Sequence, residues 1–150
     1  MACSIFGDAL DVDAVRLHAA KWWPFQPRNA VMAPDGDVWF HPAGGLWRED
    51  FAGAHPRLQA LLIHELTHVW QRQHGLNLVL RRHPFCRYDY RIVPGRPLSR
   101  YGIEQQAMIV EHAFVARKAG QPNPALESLL RAAGLLASAP VRNPASLRGA

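Results

Sequence analysis

The stretch from 56 to 75 constrains this chain more than any other part of it. Pro56 stands where a first helical turn has no use for an N–H donor. Gly75 stands where a helix commonly turns into the left-handed conformation and stops. Between them Leu58, Leu62, Leu66, Val69 and Gln73 fall along one side at helical spacing, and Leu61, His64, His68 and Gln71 along another. Arg72 and His74 suit the negative end of the helix dipole. The spacing predicts a helix over 56–74.

Within that helix His64-Glu65-Leu66-Thr67-His68 forms an HExxH pattern. Residues four apart lie on one face with Cβ atoms roughly 5–6 Å apart. Two imidazoles so placed can reach one ion at about 2.0–2.1 Å. Glu65 adjoins the first ligand but points off the ligand axis, so it can hold an attacking water and take its proton as general base. In a chain of 150 residues with 8 His, the pattern is expected by chance on the order of 0.01 times. The surrounding helix signals make an accidental pair of surface histidines the weaker reading.

A catalytic zinc needs a third protein ligand and an open position. Downstream candidates are His74, His83, Cys86, Asp89, Glu104, Glu111 and His112. His74 lies ten residues past His64, a rotation that carries it off the metal face. Glu104 falls on a second expected helix, over 99–119, with the small Ala107 one turn later, where two helices could lie close. It is the preferred ligand. Glu111 returns to the same face seven residues on, about 10 Å further along. That suits an acceptor for a ligand imidazole N–H rather than a second carboxylate on the ion.

The remainder predicts an α+β fold, mainly helical with a small antiparallel sheet. Strands are expected over 12–18, 30–33 and 38–41, the last two joined as a hairpin by Pro34-Asp35-Gly36-Asp37. Cys86, Tyr88, Tyr90 and Ile92 alternate with charged residues, as in a strand or extended loop. A third helix is expected over 124–138. One domain over 1–138, followed by a tail over 139–150, accounts for the length.

Cys3 and Cys86 form no CxxC pair and imply no disulfide framework. No apolar run is long enough to cross a bilayer. The first residues lack a basic start and an apolar stretch, so Sec export is not expected. The formal net charge is +5. The densest cations run from Arg72 through Arg81, Arg82, Arg87, Arg91 and Arg96 to Arg100, around Tyr88 and Tyr90. Backbone contacts and base stacking would suit a nucleic acid, but an arginine-rich solvated surface is the commoner use of such a stretch.

The run His-Glu-Leu-Thr-His-Val-Trp-Gln at 64–71, followed by Tyr-Gly-Ile-Glu-Gln-Gln-Ala at 101–107, resembles small gluzincin-like metallopeptidase domains of the zincin class. It also resembles bacterial Vgr-related proteins associated with type VI secretion. The resemblance extends from about Phe6 to Gly120 and includes the Pro-Asp-Gly turn and Asp50-Phe51. It implies one zinc ion held by His64, His68 and Glu104, with Glu65 as the catalytic carboxylate. It implies a hairpin strand bordering the cleft, where an extended peptide could pair with its edge; plain sheet packing is the reading preferred for Trp39 and Phe40. It identifies no transition-state stabiliser, though Tyr88, Tyr90, Tyr101 and His83 are available.

The expected function is therefore a zinc-dependent peptidase acting on a protein or peptide, as a secretion effector or accessory. It would be cytoplasmic, or exported without a signal peptide. Two alternatives are a non-catalytic, zinc-stabilised adaptor of a secretion apparatus and a DNA-associated protease. An intact Glu65 argues against the adaptor, because a structural site needs no base.

Overall fold

The computed structural model of the chain describes residues 1–78 and 86–136. Their order is α1 (Cys3–Phe6), a 3-10 turn, β1 (Leu17–His18), β2 (Val31–Met32), β3 (Val38–Phe40), α2 (Pro56–Gln73), a second 3-10 turn at Leu98–Arg100, α3 (Ile103–Lys118) and α4 (Pro124–Ala132). These residues form an α+β fold with four α-helices and one small mixed sheet.

The long helix begins and ends where its punctuation asks. Pro56 occupies the first turn, and the His55 ring accepts the Arg57 N–H at 3.3 Å. At the other end Gly75 adopts φ +85°. The Gly75 and Leu76 N–H groups then close back on the Arg72 and Gln71 carbonyls at 2.9 and 3.0 Å. Helix α3 starts four residues later than expected, at Ile103, because Leu98–Arg100 forms its own turn and the Gln105 side chain caps the Gly102 N–H at 2.9 Å. Helix α4 ends at Ala132 rather than at 138, where Gly134 turns left-handed at φ +78°.

The sheet departs from expectation in two ways. It is mixed, not antiparallel: β3 lies in the middle, antiparallel to β2 and parallel to β1. And β1 is confined to Leu17–His18, because the Asp11 carboxylate accepts the Asp13 and Ala14 N–H groups and folds residues 11–15 into a turn. The expected hairpin is present, with Val31 opposite Phe40 and Gly36 at φ +104° in its turn. Since β3 is bonded on both sides, only β2 offers an outer edge of this hairpin. Trp39 serves packing: it stacks on His18 and its indole N–H donates to Asp35 at 3.0 Å.

Residues 86–93 form no ladder; Tyr90 and Ile92 pack against the core while Tyr88 is exposed. The core runs between the sheet and the helices, through Phe6, Val38, Phe40, Ile63, Val69, Ile109 and Leu130. Helix α3 packs along α2 and buries Ala107 and Ala113. Small side chains there let the two backbones approach closely, which brings the polar face of α2 against the start of α3. No helix among the described residues is long and apolar enough to cross a membrane. His83, Arg81, Arg82 and the tail expected over 139–150 lie outside the described residues.

Candidate metal centre

His64, Glu65 and His68 are all buried on α2, and Glu104 is fully buried on the first turn of α3. A buried carboxylate is costly unless something offsets its charge. Here the N-terminal end of α3 contributes partial positive charge, and two imidazoles face it. The His64 and His68 rings lie edge to face with centroids 5.1 Å apart. The Nε2 atoms of both lie 3.3 Å from Glu104 Oε2. Ligand atoms of the three side chains all fall within 4.8 Å of one another, and they form the group of potential metal ligands found among the described residues.

Each ring is held from behind by a different partner. His64 Nδ1 meets Glu111 Oε2 at 3.0 Å. His68 Nδ1 meets Gln71 Oε1 at 2.9 Å. The Gln71 amide nitrogen donates to the Ile103 carbonyl and to Gln106 Oε1, at 2.9 and 3.0 Å, and Gln106 in turn donates to the Tyr101 carbonyl at 2.8 Å. A backbone carbonyl can only accept, so the amide orientation is settled and its oxygen must face His68. His68 Nδ1 is then the protonated nitrogen, and Nε2 turns a lone pair toward Glu104. The contact to Glu104 lacks hydrogen-bond geometry, so this buried Nε2 has no hydrogen-bond partner. Glu111 imposes the same tautomer on His64.

Two Nε2 lone pairs and a carboxylate turned toward one buried point repel one another unless a cation joins them. Without an ion, a proton takes that place. Burial works to lower the His64 pKa, but the hydrogen bonds to Glu104 and Glu111, with the charge of Glu65, outweigh it and raise the pKa to about 9. Two imidazole nitrogens and a carboxylate oxygen, with their outer nitrogens tied down, match the donor set of a divalent metal.

The structure therefore brings His64, His68 and Glu104 together and sets Glu111 behind His64. It does not bring in the other candidate ligands that lie among the described residues. The His74 ring donates to the Trp70 carbonyl at 2.9 Å, His112 pairs with the Tyr90 hydroxyl at 2.7 Å, and Asp89 pairs with Arg87 at 2.8 Å on the surface. The Tyr101 hydroxyl accepts the Val93 N–H at 3.0 Å. Nothing in the sequence alone assigns Gln71 a role. Its one local signal is a polar side chain three residues after His68 on the histidine face.

A solved structure of the effector domain of Pseudomonas aeruginosa VgrG2b is similar in fold to this chain, with a TM-score of 0.70 at 36% identity, covering 85% of this chain and 75% of that domain. The chain belongs to the VgrG2b effector-domain family. The type VI secretion system spike protein VgrG2b of the same organism is 38% identical over 126 residues, 78% of this chain. That stretch is 12% of the spike protein's own length. No family model matches the chain. Membership in the VgrG2b group accounts for the shared fold, and the His64–His68–Glu104 cluster gives this member a site able to hold a metal ion.

Proposed function

We propose that this chain is a zinc-dependent peptidase acting as an effector of a type VI secretion system. Its support is the convergence of His64, His68 and Glu104 on one buried point, with Glu65 next to the first histidine. His64 Nε2, His68 Nε2 and a Glu104 carboxylate oxygen would hold one zinc ion. Zinc bound there supplies Lewis-acid activation of a water and polarises the peptide carbonyl. The chain's own groups do the rest. Glu65 accepts the proton of the attacking water and returns it to the departing amine nitrogen. Glu111 and Gln71 keep both imidazoles in the tautomer that presents Nε2. The substrate is a protein or peptide. The likeness to a spike-protein effector domain supports delivery by the secretion apparatus itself, which requires no signal peptide.

Glu65→Gln separates the roles. The amide is nearly isosteric but cannot accept the proton. The variant is expected to keep one equivalent of zinc and to lose about 10²–10⁴ in rate on a quenched fluorescent peptide library. Undiminished turnover would remove Glu65 from the mechanism. If the zinc-loaded wild type cuts no peptide at all, the domain is a metal-stabilised adaptor instead.

A further inference from the structure

Beside the metal centre lies a small cavity of about 170 Å³, walled by Trp22, Met32, Pro34, Leu78 and Ile103 and reaching His68. Apart from the imidazole, every one of these walls is apolar. Its size matters, because an apolar cavity of about 150 Å³ accommodates benzene. The walls come from separate parts of the fold that meet here: the segment after β1, the hairpin, the end of the α2 region, and the residue preceding Glu104.

Trp22 would be an odd wall if its loop were loosely held, since 40% of the residue is exposed. It is not loosely held. The Trp22 N–H donates to Gln26 Oε1 at 2.9 Å. Gln26 is itself buried, and its amide nitrogen donates to the Ala30 and Trp39 carbonyls at 2.9 and 3.1 Å. One buried glutamine thus fastens the backbone of the aromatic loop to the central strand, with Trp22 at the cavity. Holding a large apolar side chain half in water has no evident use in folding. Positioned beside a metal ligand, it has one in binding.

We propose that this cavity is a side-chain subsite that selects an aromatic or branched apolar residue next to the bond to be cut, with Trp22 as its specificity-determining wall. The proposal rests on the peptidase reading for its purpose, but the binding it requires does not depend on hydrolysis or on metal.

The test uses the full chain, with and without zinc, and two probes: N-acetyl-phenylalaninamide and N-acetyl-glycinamide. Binding is followed by NMR at the Met32 methyl and the Trp22 indole N–H. The phenylalanine amide is expected to shift both signals saturably and to bind at least about tenfold more tightly than the glycine amide. Read at Met32, Trp22→Ala should remove most of that preference, and Trp22→Phe, which keeps an aromatic wall, should retain it. Met32→Ser, which opens the opposite wall, should weaken the phenylalanine amide independently, with the indole as reporter. Equal binding of the two amides, or a preference that survives both Trp22→Ala and Met32→Ser, would overturn the proposal. A chain that binds the phenylalanine amide yet cuts nothing sinks the peptidase reading alone. A chain that cuts peptides with no apolar preference sinks the subsite alone.

Discussion

The two histidines of the candidate centre sit one helical turn apart on the same face, yet their supports differ in kind. His68 is backed by Gln71, a fully buried neutral amide at the head of a chain of hydrogen bonds that reaches the Tyr101 carbonyl. His64 is backed by Glu111, a carboxylate whose side chain is 23% exposed. The deep side joins two helices and orients its imidazole without adding charge. The outer side places a carboxylate charge against its imidazole. One side of the centre is therefore part of the packing, while the other would tune the affinity for a cation held there.

Breaking the deep side should have the larger effect. Gln71→Leu leaves the His68 N–H and Gln106 Oε1 without their buried partner and removes the link to Ile103. Stability should fall by about 1–3 kcal/mol, read from urea unfolding of the metal-free chain. Zinc affinity should fall by about 10–100-fold as His68 loses its fixed tautomer. Breaking the outer side should cost affinity, and stability only where His64 is protonated. Glu111→Gln keeps an acceptor for His64 Nδ1 but removes its charge, so zinc affinity drops toward the lower end of the same range, while the urea midpoint of the metal-free chain barely moves above about pH 9, where His64 is neutral. If the two variants prove equally destabilising, the division between packing and tuning is wrong.

The contrast between the two sides also predicts a slope with pH. In the metal-free chain His64 is raised from 6.5 to about 9. The stability this contributes is fully present below about pH 6.5 and is lost as pH rises through about 9. Zinc must displace that proton, so its affinity should rise over the same window. The stability of the metal-free and zinc-loaded chains should therefore diverge between pH 6.5 and 9. In Glu111→Gln, which lacks one of the causes of the raised pKa, the divergence should be confined to a narrower window. Parallel curves for the two forms would mean that the proton and the metal do not share the site.

Much of the helical half was legible because its signals are local. Pro56 and Gly75 bracket α2 in the chain itself, and the four-residue spacing of His64 and His68 is a property of any helix. Glu104 and Glu111 could be weighed because both fall on one face of a second helix, beside Ala107. The sheet was less legible. Two residues of β1 pair in parallel with β3 across some twenty positions of chain, and the Asp11 turn that shortens β1 competes with an apolar pattern that looks extended. Gln71 could be placed on the histidine face, but its partner carbonyl at Ile103 belongs to another helix, and nothing local announces it. The cavity under Trp22 was invisible for the same reason, since its walls meet only after folding.

On the proposed reading, His64, His68 and Glu104 hold one divalent ion. The most direct measurement is a crystal structure of the zinc-supplemented chain with anomalous data at the zinc edge. One anomalous peak is expected at this site, with two imidazole Nε2 atoms at about 2.0–2.1 Å and a Glu104 oxygen at about 2.0–2.2 Å, and with Glu111 still bonded to His64 Nδ1. An absent peak, or zinc held by Glu111 or Cys86 with Glu104 turned away, would contradict it.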